Sequence, residues 1–393
     1  MADVEVTEDQ SDGVTSAKVE VVKAKGSVFS RLYRGETAFA FIPKMKNWFI
    51  LSSVVIILGL GAVGIRGLNF GIDFKGGTSW EVPSQTLTVA KAQADVASLG
   101  VKQATVVSLG GKSGRTIEVE ADLSALTVPA RTALEEKVSA LLAKDGGVSS
   151  STVGLSDVGP TWGGEITAAA ERALVFFFLG IALYISLRFE WKMAGAALIA
   201  VVHDLLVTVG IYAIVGFQVT PATVIAVLTI LGYSLYDTIV VFDRIQENVK
   251  ELANKGRMSY ADTVNLSVNQ VLMRSLNTSI VAIIPILSIL LIGAELLGAT
   301  TLQDFGLALF VGLTTGAYSS IFIASPLLVL FKEREKRYKT LRARLEAKGG
   351  TQVLVTPKEA ALVGATVQTG GDGVRSGGAA PRGGSKSKPK KRR

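Results

Sequence analysis

The 393-residue chain contains no cysteine and a single histidine, His203. Disulfides and thiolate metal sites are therefore excluded, and redox chemistry says nothing about compartment. One histidine also weighs against an imidazole-built metal site, so neither metal nor cofactor is expected. Charge is scarce too: 19% of residues are charged against 49% hydrophobic, and mean hydropathy is +0.41. That balance excludes an ordinary soluble domain and predicts a multi-span membrane protein. The net charge of +8 does not imply a nucleic-acid surface, because Lys and Arg gather at the chain ends and beside the apolar runs. No specific nucleic-acid partner is expected.

What the chain has instead is apolar runs. Residues 47–66, 168–187, 193–215, 221–243, 271–297 and 303–331 read as six transmembrane helices. Residues 1–46 form a polar, mostly disordered tail, and no cleavable leader is expected, since the first apolar run begins only at Trp48. Gly59, Gly61 and Gly64 are expected to permit close helix contact in the first span. Residues 332–393 read as a solvated helix followed by a mostly disordered basic tail closing with SKSKPKKRR, which is either solvated or touches anionic lipid or ribosomal RNA. The charged turn RFEWK at 188–192 and the segment 244–274 alternate with turns near 216–220 and 295–304 that lack Lys and Arg. The positive-inside rule then places both termini in the cytoplasm.

Residues 67–164 differ in kind, with soluble composition and a changing period. Their reading is βαββαβ, an inserted α+β ferredoxin-like extracytoplasmic domain between the first and second spans. GGKSG at 110–114 reads as a turn, since it lacks the spacing of a phosphate loop. Residues 244–270 read as two short amphipathic surface helices, with Gly256 as a stop and Ser259 and Asp262 spaced as a capping box.

Asp237 is the anomaly of the fourth run. At about 1.5 Å per residue it lies roughly 9 Å inside the hydrocarbon edge if the span ends near Asp243. A carboxylate there costs about 2.5–3.5 kcal/mol, so it is a functional candidate by default. Tyr233 and Ser234 precede it at helical spacing on one face, with Thr238 beside it. Arg274, at a similar depth, is expected to pair with Asp237. The arginine favours the ionised acid and burial the neutral one, so the pair is either a proton-coupled switch or a static register lock. His203 and Asp204 sit in the middle of the third span; the histidine either relays protons or packs, and the acid either shares a core with Asp237 or bonds a hydroxyl. In the sixth run, Gly312 and Gly316 form a GxxxG for tight packing, and Ser319 with its neighbours is expected to add hydroxyls beside the Asp237 helix.

Several stretches resemble the SecD/SecF family of protein-export membrane subunits, within the resistance-nodulation-division superfamily. They are FGIDFKGGT (70–78), DVGP (157–160), RFEWK (188–192), the pair His203 and Asp204, GYSLYDTIVVFDRIQEN (232–248), the Arg274 segment and YSSIFIASP (318–326). Tyr236 stands where the family motif more often has asparagine. The resemblance implies a non-enzymatic subunit of the bacterial cytoplasmic membrane, driven by the proton-motive force with protons as the coupling ion. It further implies a SecD partner, the SecYEG channel, SecA and YajC as associates, and unfolded preproteins as cargo. Asp237 and Arg274 match the family's proposed proton-path positions, while for His203 and Asp204 only the motif carries over. Two rival readings are a small-molecule or lipid exporter of the same superfamily and a passive scaffold.

Overall fold

The computed structural model describes residues 37–347, except 38, 102, 110–114, 255, 257 and 295–299. The GGKSG turn, the turn at 295–299, residues 1–36 and the tail beyond 347 lie outside the described residues. Six helices are long and apolar enough to cross a membrane: Met45–Arg66, Thr161–Arg188, Trp191–Val215, Pro221–Ala253, Tyr260–Gly293 and Gln303–Lys332. They are called here the first to sixth spans. Local signals set their ends. Thr220 closes a capping box with Thr223 ahead of Pro221, Ser259 caps the fifth span, and Gly216 ends the third in the left-handed region at φ 85°.

Burial separates the spans into two ranks. The apolar stretches of the third, fourth and sixth are 50%, 44% and 61% buried, against 11%, 6% and 11% for the first, second and fifth. The central three pack closely where small residues meet. A Cβ added at Gly312 would fall 2.3 Å from Ile230, and one at Gly316 2.8 Å from Ser234, so the sixth span presses on the fourth. In the first span only Gly59 makes such an approach, 2.6 Å from the Gly210 backbone of the third. Gly61 and Gly64 face open space, which corrects the expectation that all three serve contact.

The segments that flank the fourth, fifth and sixth spans also differ from the sequence reading. The fourth span runs to Asn248 and through a π turn at Val249–Ala253; Gly256, at φ 73°, then reverses the chain. From Tyr260 a single helix continues to Ser288, so the second surface helix and the fifth span are one element. Nothing between them breaks a helix, since the stretch lacks glycine and its one proline, Pro285, comes late. Its polar residues have a different use. Asn265 and Asn269 accept hydrogen bonds from the backbone N–H groups of Phe39 (2.8 Å), Phe41 (2.9 Å) and Ile42 (3.1 Å), and both donate to the Phe39 carbonyl at 3.0 Å. The end of the expected tail is thereby docked, with Phe41 and Ile42 buried. Likewise the helix Lys336–Ala347 is not wholly solvated. Tyr338 is buried with its ring 4.6 Å from that of Tyr260, and Lys332 bonds Glu190 beside it.

The inserted unit follows the alternation of its side chains. Strands β1 (Asn69–Phe70), β2 (Gly77–Pro83), β3 (Thr105–Leu109), β4 (Thr116–Ala121), β5 (Gly154–Val158) and β6 (Gln218–Val219) form two sheets. The larger is antiparallel in the order β3-β4-β2-β5. Trp80, Val82, Ile117 and Val119 point to one face and share a core with Val96, Val138 and Leu142 of the helices Val89–Ser98 and Val128–Gly146. The smaller sheet pairs β1 with β6 in parallel and ties the root of the unit to the turn between the third and fourth spans. Gly76 and Gly77, at φ 79° and 135°, turn the chain into β2, and Gly163 lets the second span start close to Phe74, since a Cβ added there would fall 2.7 Å from the Phe74 carbonyl oxygen.

Gly59→Ala is expected to destabilise the protein in detergent by about 1–3 kcal/mol, read as a lower unfolding temperature, because the first span has to retreat from Gly210. Gly64→Ala is expected to leave that temperature unchanged.

Candidate functional site

The third, fourth and sixth spans converge on two carboxylates. Asp204 is fully buried and Asp237 is 4% exposed. Each carboxylate uses Oδ2 to accept two serine hydroxyls from other helices. Asp204 Oδ2 accepts from Ser319 at 2.8 Å and from Ser234. Asp237 Oδ2 accepts from Ser275 at 2.8 Å and from Ser320. The donors are themselves buried, so the bonds form away from water and are charge-assisted when the acid is ionised. Ser319 and Ser320 are neighbours in sequence, yet they serve different carboxylates. About 100° of helix rotation per residue turns one hydroxyl toward the third span and the next toward the fourth. Ser320 opens a π turn, Ser320–Ala324, where Ser325 Oγ bonds the Ser320 carbonyl at 3.0 Å. π turns of this kind are frequent at working positions in helices.

Around this core lie polar atoms that are buried and unmatched. His203 Nδ1 meets Asp204 Oδ1 at 3.0 Å, but among the described residues Nε2 has no hydrogen-bond partner. The His203 ring stacks on Tyr318 at 6.3 Å, and the Tyr318 hydroxyl donates to the Trp48 carbonyl at 3.2 Å and lies 3.2 Å from Ser52 Oγ. Thr238 Oγ1 is likewise buried without a partner among the described residues. A buried polar atom left unpaired costs on the order of 1–3 kcal/mol, which marks a place where a proton or a rotamer can be gained.

Arg274 is the main departure from expectation. It is exposed, and among the described residues no ion pair joins it to Asp237. The neighbouring Ser275 takes the position facing the acid. A single residue of rotation on the fifth span separates the two: Ser275 makes the bond, while Arg274 stays close enough for its charge to act on Asp237 without an ion pair. Ser234 also serves Asp204 and not Asp237, although it shares the Asp237 helix. Asp204 and Asp237 do not share hydroxyls; each has its own pair. Gly312 and Gly316 set the separation of the fourth and sixth spans at this level, and Tyr233 is half-buried beside Asp237. Sequence reasoning missed Ser275 and the division of labour between Ser319 and Ser320. The signal available was a serine at each helical turn toward the acids in otherwise aliphatic runs. Among the described residues no group of three or more His, Asp or Glu side chains is placed to hold a metal ion.

Comparison with known proteins bears on this arrangement. Residues 137–334 match the family "Protein export membrane protein SecD/SecF, C-terminal", and residues 61–86 match the SecD/SecF GG motif. The protein translocase subunit SecF of Streptomyces coelicolor is 40% identical over 324 residues, covering 82% of this chain and 84% of that protein. The chain belongs to the SecD/SecF family. Its role is in Sec protein export. A second relative, SecF of Mycobacterium tuberculosis, is 40% identical over 329 residues, covering 83% of this chain and 74% of that one. The crystal structure of SecDF from Thermus thermophilus, described as a translocon-associated membrane protein, superposes with a TM-score of 0.67 at 33% identity. That likeness covers 76% of this chain and 39% of the SecDF chain, so this chain spans about two fifths of that longer protein. Gly76 and Gly77, with their left-handed backbone, fall inside the SecD/SecF GG motif.

Replacing Ser275 or Ser320 by alanine removes one donor from a buried acid. Each change is expected to lower the unfolding temperature in detergent by the equivalent of about 1.5–3 kcal/mol. Thr314→Ala, on the same helix as Ser320 but exposed, is expected to change it by less than about 0.5 kcal/mol.

Proposed function

We propose that the chain is a proton-coupled subunit of the Sec preprotein translocase and that Asp237 is where the coupling proton acts. The observation that carries this reading is the pair of buried carboxylates held by adjacent serines of one helix, with no cation among the described residues bonded to Asp237. An ionised carboxyl only accepts hydrogen bonds, whereas a protonated one also donates. A proton carried on Oδ2, the oxygen that both serines address, takes up a lone pair there and turns Ser275 or Ser320 elsewhere. Ser320 lies at the π turn of the sixth span and Ser319 is bonded to Asp204, so the change is felt by the third, fourth and sixth helices together. One charge moved through the membrane field supplies about 2.3 kcal/mol per 100 mV, enough to bias such a rearrangement.

Arg274 supports a partner at this depth. A guanidinium at a lipid-facing position of a span is expensive, and Tyr236 on the fourth span is also 54% exposed. Both are satisfied if a SecD subunit covers them and supplies a carboxylate to Arg274. The SecYEG channel, SecA and YajC are proposed as further associates and unfolded preproteins as cargo. His203 and Asp204 are proposed as a second station of the proton route, with Nε2 as the free acceptor or donor.

Orientation follows from charge. Arg188, Asp243, Lys192 and Glu335 gather in ion pairs at the end of the bundle opposite the inserted unit. That end is assigned to the cytoplasm of a bacterial cell with both termini, which leaves the unit outside. The unit is read as ferredoxin-like, on the support of its β5-β2-β4-β3 antiparallel order and the two helices on one face.

In vesicles containing this chain, its SecD partner and the channel, Asp237→Asn is expected to abolish stimulation of export by a proton gradient while the complex still co-purifies. Full stimulation by the variant would leave the scaffold reading in its place.

A further inference from the structure

The helix-free face of the larger sheet is acidic, with Ser79 and Glu118 buried on it and Glu120 half-buried, and the proton route through the bundle does not use it. Alternation places Ser79, Glu81, Glu118 and Glu120 on this face, opposite the Trp80 and Ile117 core. The register of β2 with β4 sets Glu81 directly across from Glu118 and Ser79 across from Glu120. Like charges so placed repel unless a proton intervenes. Glu118 is only 9% exposed; its Oε1 accepts from Ser79 Oγ at 3.2 Å, and its Oε2 is buried with no hydrogen-bond partner among the described residues. An orphaned carboxylate oxygen in such a place is accounted for by a proton.

Glu120, two residues along the same strand, makes the link to the membrane. Its Oε1 accepts from Gln218 Nε2 at 2.5 Å and from the Ile72 N–H at 3.4 Å. Gln218 belongs to β6, in the turn between the third and fourth spans, so this bond joins the outer unit to the bundle. The charged groups facing Glu118 are Glu120, Glu81 and Asp304; those facing Glu120 are Asp73, Lys75 and Asp304. Lys75 is the one cation among them, too few for every acid to ionise together. Asp304 stands at the head of the sixth span, and its carbonyl accepts from the Tyr212 hydroxyl of the third at 3.3 Å.

We propose that Glu118 and Glu120, with Asp304, form a proton-binding site that seats the outer unit on the bundle and lets it lift when these acids ionise. The site lies at the outer mouth and works on protons that never enter the membrane, so it stands apart from the role given to Asp237. Burial, with Glu120 and Glu81 adding to it, pushes the Glu118 carboxyl up to about 8. Burial also raises Glu120, against the opposing pull of Gln218, Ile72 and Lys75. The sign follows. A carboxyl raised by docking stabilises the seated form at low pH, and that stabilisation is lost as pH climbs through about 8.

The chain has no cysteine, so two introduced ones carry spin labels without background. Val128→Cys on the outer unit and Ile214→Cys at the outer end of the third span are both exposed, at 66% and 42%. The distance between labels is read by electron double resonance on the full chain in lipid nanodiscs from pH 6 to pH 9. One short, narrow distance is expected at pH 6, with a longer population growing in above about pH 8. Glu118→Gln with Glu120→Gln, which keeps the hydrogen-bonding groups without the charge, is expected to hold the short distance throughout. The Asp237→Asn variant is expected to respond to pH as the parent does. A distance in the parent that ignores pH, a glutamine variant that still opens, or a response that vanishes with Asp237→Asn would each overturn the proposal.

Discussion

The rest of the structure depends on burying two carboxylates in a helix bundle and satisfying them chiefly with serine hydroxyls, with the His203 ring beside Asp204. A buried acid without a bonded cation is costly in either charge state unless donors are fixed in advance. Here the donors are serines, whose short side chains reach only if the helices come close. Gly312 and Gly316 permit that approach by removing side-chain bulk where the sixth span crosses Ile230 and Ser234. The same closeness makes the third, fourth and sixth spans the buried ones. Packing and polar chemistry are thus one constraint: loosening the glycine contact would also pull Ser319 and Ser320 off their acids.

The peripheral parts answer to different physics. The inserted unit folds around Trp80, Ile117 and Leu142 in its own core, separate from the apolar clusters of the bundle. It meets the membrane part through the two-residue pairing of β1 with β6, the bond of Glu120 with Gln218 and the packing of the Ile72–Lys75 turn against the start of the second span. The polar members of that contact respond to charge more readily than the packed ones. At the other end, Asn265 and Asn269 clasp the backbone at Phe39–Ile42, and Tyr260 receives Tyr338, so segments flanking the spans are tied to one long helix.

Much of this was legible in the residues and some was not. The six apolar runs stand out because lipid demands about 20 apolar residues in a row. Asp237 stands out because it violates that demand. Which residue of a helix faces which neighbour is a matter of rotation, and hydropathy carries little of it. Arg274 and Ser275 differ by one step, yet one faces outward and the other bonds the acid. The docked Phe39–Lys44 segment was hidden for a related reason: its partners, Asn265 and Asn269, lie more than two hundred residues away and look like ordinary surface polarity. Continuity of the fifth helix was obscured by the same asparagines, which a local reading places in water.

The most direct test of the central claim is infrared difference spectroscopy of the full chain in lipid as pH is lowered. If Asp237 exchanges a proton inside the bundle, the spectrum contains a carboxylic-acid carbonyl band that disappears in the Asp237→Asn variant. An identical spectrum in parent and variant would contradict the account.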